Sequence, residues 1–181
     1  MTVKNKHTIK ITNLSIGYIS KKKVKTIASN LNFELEKGNL VCLLGKNGIG
    51  KSTLLRTLTK VQPALCGEIF INTKNLNSLN NLDLAKSLSL VLTERLPESS
   101  LSVYELVALG RQPYTNWVDK LSEKDKKIIN RAFEQTNTKH LIHSKYYELS
   151  DGQLQKVLIA RALAQNTKII ILDEPTAHLD I

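Results

Sequence analysis

The stretch GKNGIGKS, Gly45 to Ser52, fits the pattern G-x-x-x-x-G-K-[ST]. Average residue usage makes a chance match in a chain of this length roughly a one-per-cent event. An apolar run, NLVCLLG, precedes it, and STLLRTLTKV follows with helical spacing at Leu54, Leu55 and Leu58. That is the strand–loop–helix context of a P-loop. Glycines let successive backbone N–H groups turn inward into an anion-binding nest, and a helix beginning near Lys51 adds its positive dipole end. Lys51 then reaches the outer phosphates of a nucleotide, and the Ser52 hydroxyl completes a Mg²⁺ shell. The loop as a whole, Gly45, Lys46, Asn47, Gly48, Ile49, Gly50, Lys51, Ser52 and the adjoining Thr53, is the predicted nucleotide-binding segment.

Outward from the loop, strands alternate with helices. TIKITNLSIGY and ASNLNFELEKG alternate apolar and polar residues as half-buried strands, and NLVCLLG reads as a strand buried on both faces. GEIFIN is a short strand, NNLDLAKSL a short helix, and SLSLVLT another strand. From Ser102 to about Leu141 the pattern is helical, with a turn around Pro113. Ser122 and Asp125 form a capping box there, and Ile128, Ile129, Ala132 and Phe133 form one apolar face. QLQKVLIARALAQ is a third helix of this region, capped by Ser150, and KIIILDEP ends the series as a buried strand. The predicted fold is α/β: a P-loop NTPase core with an N-terminal antiparallel β subdomain and an inserted helical subdomain over approximately 95–148. The 181 residues read as a single domain.

The strand IIIL stops at two adjacent carboxylates, Asp173 and Glu174. In a P-loop fold the first acid orders Mg²⁺ through water. Glu174 stands one residue farther on, placed to polarise an attacking water as the catalytic base. Between loop and acids lies LSDGQLQKVLIARAL, whose Ser150-capped N-terminus is a candidate second phosphate cradle.

Bulk properties narrow the class. The composition is 41% hydrophobic and 23% charged, ordinary for a globular protein. No run approaches the roughly 18 apolar residues of a membrane helix. The N-terminus carries basic residues but lacks the apolar core of an export signal. Cys42 and Cys66 have no CxxC spacing and read as buried or inert thiols of a reducing compartment. The net charge of +10 suits nucleic acid, an anionic surface or a phosphate-rich ligand. No aromatic residue interleaves the run Lys21-Lys22-Lys23 with Lys25, so no nucleic-acid partner is expected.

The P-loop, LSDGQ and ILDEPTAHLD, in this order, resemble the ATP-binding subunits of ABC transporters. SVYELVALGRQPY, Ser102 to Tyr114, looks like the start of the helical subdomain in importers of iron-siderophore, haem and cobalamin type. The resemblance implies an ATP-hydrolysing motor with ATP and Mg²⁺ as cofactors, peripheral on the cytoplasmic face of the cell membrane. It implies a head-to-tail homodimer in which Ser150, Asp151, Gly152 and Gln153 of one subunit meet the nucleotide of the other. The helical subdomain would meet transmembrane permease subunits, with a substrate-binding protein acting indirectly. Tyr18 matches the aromatic residue that stacks on adenine, and Ser52, Asp173 and Glu94 are the implied Mg²⁺ residues.

Three features depart from the family pattern. VLTERL offers Glu94 where a glutamine is usual, and the signature has Asp151 where glycine is commonest. Family members continue past Leu179-Asp180 to a switch histidine, a role His178 does not match, so a missing C-terminal part is expected. Two other readings accompany the importer motor: a soluble ABC-type ATPase acting on nucleic acid or ribosomes, and a truncated fragment that binds nucleotide without hydrolysing it.

Overall fold

The computed structural model describes residues 7–20, 23–92, 99–115 and 120–175. Lys21, Lys22, Glu94 and His178 lie outside the described residues. The chain forms two compact units, Met1–Ser87 and Leu88–Ile181.

In the first unit, β1 (His7–Ser20) and β2 (Lys23–Glu36) form a long antiparallel hairpin. β3 (Cys66–Ile71) and the two-residue β4 (Lys74–Asn75) complete a sheet of order β2-β1-β3-β4. Alternation along β1 buries Ile9 and Ile11. The pairing shifts between Ile11 and Leu14, where Asn13 takes a positive φ of 48° and its N–H donates to the Asn32 side chain. The extra residue keeps Leu14 and Ile16 on the buried face instead of sending them to solvent. Helix α1 (Lys51–Leu58) buries Leu54 and Leu58, and α2 (Asn81–Ser87) ends the unit.

One predicted strand does not form. Residues 39–46 carry neither helix nor strand, and Leu40 and Leu44 are 94% and 87% exposed. A strand requires a neighbour to take its N–H and C=O groups, and neither sheet accepts this run. Its apolar composition alone therefore does not make it extended and paired. Cys42 lies within it and is exposed, as is Cys66, so neither thiol is buried.

In the second unit, β5 (Leu88–Val91) pairs in parallel with β6 (Ile169–Leu172), Leu88 opposite Ile169 and Val91 opposite Leu172. Three helices pack together: α3 (Val103–Ala108), α4 (Glu123–Gln135) and α5 (Asp151–Ala164). Val103, Val107, Ile129, Phe133, Val157 and Ala160 form their shared core, and Tyr104 stacks on Phe133 at 6.2 Å. Each helix begins at a serine in a capping box: Ser102 with Glu105, Ser122 with Asp125, Ser150 with Gln153.

Arg111, in the 3₁₀ segment Leu109–Tyr114, ties this unit together. Its Nε donates to Asp125 Oδ1 at 2.9 Å and Nη1 to the Ala164 carbonyl at 2.8 Å, and the guanidinium lies 4.0 Å from the Tyr114 ring centre. One buried cation thus joins the start of α4, the end of α5 and its own segment. The end of α5 suits it, because carbonyls there lack helical partners and carry negative partial charge. Gly110 permits the approach: a Cβ there would lie 2.4 Å from the Arg161 carbonyl oxygen.

The Ser122 hydroxyl, then the Ser122 N–H and the Arg111 guanidinium, hold the Asp125 carboxyl below its ordinary value despite burial. A depressed carboxylate stabilises the fold above its unfolded value of about 3.9, and that contribution disappears as pH falls through the folded value. Replacing Arg111 by Met is expected to cost about 3 kcal/mol at pH 7 by leaving a buried charge unpaired. Asp125→Asn is expected to flatten the acid limb of stability below about pH 4. Urea unfolding across a pH series checks both.

Candidate functional site

The P-loop runs through exposed residues 45–49 into the half-buried Gly50, the cap of α1. Gly48 and Gly50 have φ of 78° and 111°, a region that side chains disfavour. At Gly50 a Cβ would also lie 2.4 Å from Ile27 Cγ2. The Ile49 N–H closes a turn on the Lys46 carbonyl at 3.3 Å. Lys51 folds back over the loop, its Nζ donating to the carbonyls of Gly45 at 2.8 Å and Lys46 at 3.1 Å. The lysine is thereby held on the loop that the sequence assigns to phosphate.

The start of α1 differs from the starts of α3, α4 and α5. It has no capping side chain and no acid in its first turn. The other three have a serine cap and an acidic residue there. A helix start with no capping side chain and no acid leaves the positive end of the helix uncompensated, as an anion site requires. Ser52 and Thr53 are the second and third residues of the helix. Thr53 is buried, and its hydroxyl is 2.7 Å from the Tyr18 hydroxyl. Tyr18 is 46% exposed, so its hydroxyl is tied to α1 while much of the residue stays open to solvent.

In the second unit β6 delivers Asp173 and Glu174. The Asp173 N–H donates to the Val91 carbonyl at 2.9 Å, extending the parallel ladder by one bond. Asp173 is only 3% exposed, whereas Glu174 is exposed. The chain turns sharply between them: Glu174 has φ of 44°, uncommon for a residue with a side chain and more so before a proline. At the start of α5, the Ser150 hydroxyl accepts from the Gln153 N–H at 3.3 Å and Gln153 Oε1 accepts from the Ser150 N–H at 3.0 Å. Asp151 is exposed, and Gly152 and Gln153 are half-buried. Glu94 lies outside the described residues.

Charge is divided unevenly. Residues 1–87 hold 14 Lys and Arg against four Asp and Glu, and residues 88–181 hold twelve of each. The whole excess of ten positive charges therefore belongs to the P-loop half.

Residues 28–177 match the ABC transporter family. The chain belongs to the ABC transporter family. Among its ABC relatives is the achromobactin transport ATP-binding protein CbrD of Dickeya dadantii, 38% identical over 93% of this chain and 61% of its own length. Another is the iron(3+)-hydroxamate import ATP-binding protein FhuC of Bacillus subtilis, 35% identical over 97% of this chain and 64% of its own. The dimeric structure of the ABC transporter cassette MJ0796 superposes with a TM-score of 0.82 at 28% identity, covering 95% of this chain and 76% of that one. The chain thus has the ABC ATPase fold and spans about three fifths of the length of the curated relatives it matches.

Sequence reasoning missed three features of this ABC chain: the Tyr18–Thr53 hydrogen bond, the left-handed turn at Glu174 and the Arg111 tie. The uncapped glycine start of α1 was available as a signal, since every serine-capped helix could be found by the same pattern. Tyr18→Phe, which keeps the ring and removes the bond to Thr53, is expected to change fluorescent-ATP affinity less than about threefold. Tyr18→Ala is expected to weaken it at least about tenfold, the effect of losing roughly 1–2 kcal/mol of ring contact.

Proposed function

We propose that this chain is the ATP-binding and ATP-hydrolysing motor portion of an ABC importer for iron chelates, with haem or cobalamin as related cargoes. The observation that carries the reading is the uncapped, acid-free start of α1 beside a loop that holds Lys51. The transport roles in the names of CbrD and FhuC support the cargo class. In this reading Gly45 to Thr53 take the phosphates of ATP and Tyr18 takes the adenine.

The ion of this reading is magnesium. Mg²⁺ prefers oxygen ligands and is held through one or two carboxylates together with substrate phosphates. Ser52 offers a hydroxyl and Asp173 a buried carboxylate. Among the described residues no group of three or more His, Cys, Asp or Glu forms a closed metal cage. Ser52 and Asp173 would hold the ion, with Glu94 as the third implied residue, and the ion neutralises charge on the phosphate oxygens. Lys51 and the loop amides orient the γ-phosphate, and Glu174 takes the proton of the attacking water.

The chain works as a head-to-tail dimer, with Ser150, Asp151, Gly152 and Gln153 of each copy meeting the nucleotide of the other. The segment from Ser102 to Arg111 transmits closure to a membrane permease, with a substrate-binding protein acting indirectly, at the cytoplasmic face of the membrane. No described helix is long and apolar enough to cross a membrane. Glu174→Gln in the full-length transporter is expected to reduce phosphate release at least about a hundredfold, while ATP affinity stays within about threefold. Undiminished phosphate release would remove Glu174 from the role of base.

A further inference from the structure

Lys25 is an exposed residue of β2, and the pairing of the hairpin sets it directly opposite Tyr18 on β1. Opposed residues of antiparallel strands carry their side chains on the same face. That face is turned towards the start of α1. The Tyr18 hydroxyl lies 2.7 Å from that of Thr53, and a Cβ at Gly50 would lie 2.4 Å from Ile27 Cγ2 and 4.0 Å from Ile16 Cδ1. The register shift between Ile16 and Gly17 sets both Ile27 and Ala28 against Ile16. Tyr18, two residues after Ile16, and Lys25, two before Ile27, continue the same face away from Gly50.

The backbone is held at this level. A Cβ at Gly17 would lie 2.1 Å from the Lys25 carbonyl oxygen, so glycine permits the two strands to close here. The Gly17 carbonyl accepts from Gln62 Nε2 at 2.7 Å, which ties the hairpin to the segment after α1.

Position along the face decides which part of a nucleotide is within reach. Ile27 covers Gly50 at the phosphate end, and Tyr18 stands at the end proposed for adenine. Lys25 is about 7 Å from Ile27 along the strand, a distance its four-carbon stem spans. The phosphate nearest the sugar is therefore the one it meets, and the outer phosphates fall to Lys51. Charge acts in the same sense: residues 1–33 contain seven Lys and no Asp or Glu. Among the described residues no carboxylate pairs with Lys25.

We propose that Lys25 is a second nucleotide-binding cation, its ammonium donating to the α-phosphate of ATP or ADP. The inference deepens the nucleotide-binding reading above and rests on it. Because the α-phosphate lies outside the bond that breaks, the contact acts on binding and not on the chemical step.

Lys25→Met keeps the stem and removes the charge. Full-length protein carrying Lys25→Met, Lys25→Arg or Lys74→Met is compared with wild type by isothermal titration of Mg·ATP and Mg·ADP at low and high salt, with melting temperatures to show that each is folded. Lys74, on β4 at the opposite edge of the sheet, controls for the loss of one charge. Lys25→Met is expected to weaken ATP and ADP alike, each about fivefold or more at low salt and less as salt rises. Lys25→Arg and Lys74→Met are expected to stay within about twofold of wild type. The KM of Lys25→Met is expected to rise by the same factor as its Kd, with kcat within about twofold. Equal affinities for Lys25→Met and wild type would leave Lys25 an edge-strand charge only and overturn the proposal. Weakening of ATP without ADP would overturn it too, by placing the ammonium at the γ-phosphate, and so would an equal loss in Lys74→Met, which reduces the effect to net charge. Absence of Mg·ATP binding by the wild type would defeat the nucleotide-binding reading itself and the proposal with it, a failure visible before position 25 is altered.

Discussion

Main-chain amides converge on one point only where the chain adopts backbone angles that side chains resist. Between Gly45 and Ser52 that condition is met at Gly48 and Gly50. Everything proposed for the molecule follows from the consequence at α1. The helix opens with neither a capping side chain nor an acid at its positive end, and Lys51 is held across the loop that leads into it. An uncompensated helix start of this kind favours an anion. The concentration of the whole charge excess in residues 1–87 acts in the same direction, raising the local concentration of a polyanionic ligand.

The second unit answers a different demand, that of holding the start of α4 and the end of α5 together. Arg111 does much of this by binding the open carbonyls of α5 and the Asp125 carboxylate that caps α4. Fixing the C-terminal end of α5 to Leu88 and Ser89 fixes the level of its other end, where Ser150 and Gln153 lie. The 102–114 segment thus bears on α5 both through the shared core of Val103, Val107 and Val157 and through Arg111.

The legible features were those set by local backbone chemistry. Ser122 and Ser150 announced their helices because a hydroxyl three residues before an acid or amide satisfies amides that the helix leaves open. Asp173 and Glu174 were legible because an apolar strand must end where charge begins. The features that were not legible depend on tertiary partners. Leu40 to Leu44 has the composition of a buried strand, yet among the described residues no strand hydrogen-bonds to it. Arg111 resembles any surface arginine until the fold encloses it. The left-handed turn at Glu174 has no marker in the sequence, since the residue is not glycine.

The central claim is that amides and an ammonium at the start of α1 grip a triphosphate. Isothermal titration of Mg·ATP into the folded chain, beside its Lys51→Ala variant, tests that claim most directly. The account requires saturable one-site binding to the wild-type chain and at least about tenfold weaker binding to the variant, with melting temperatures that show both to be folded. Heats no larger than dilution for the wild-type chain, or equal affinity in the two, would contradict it.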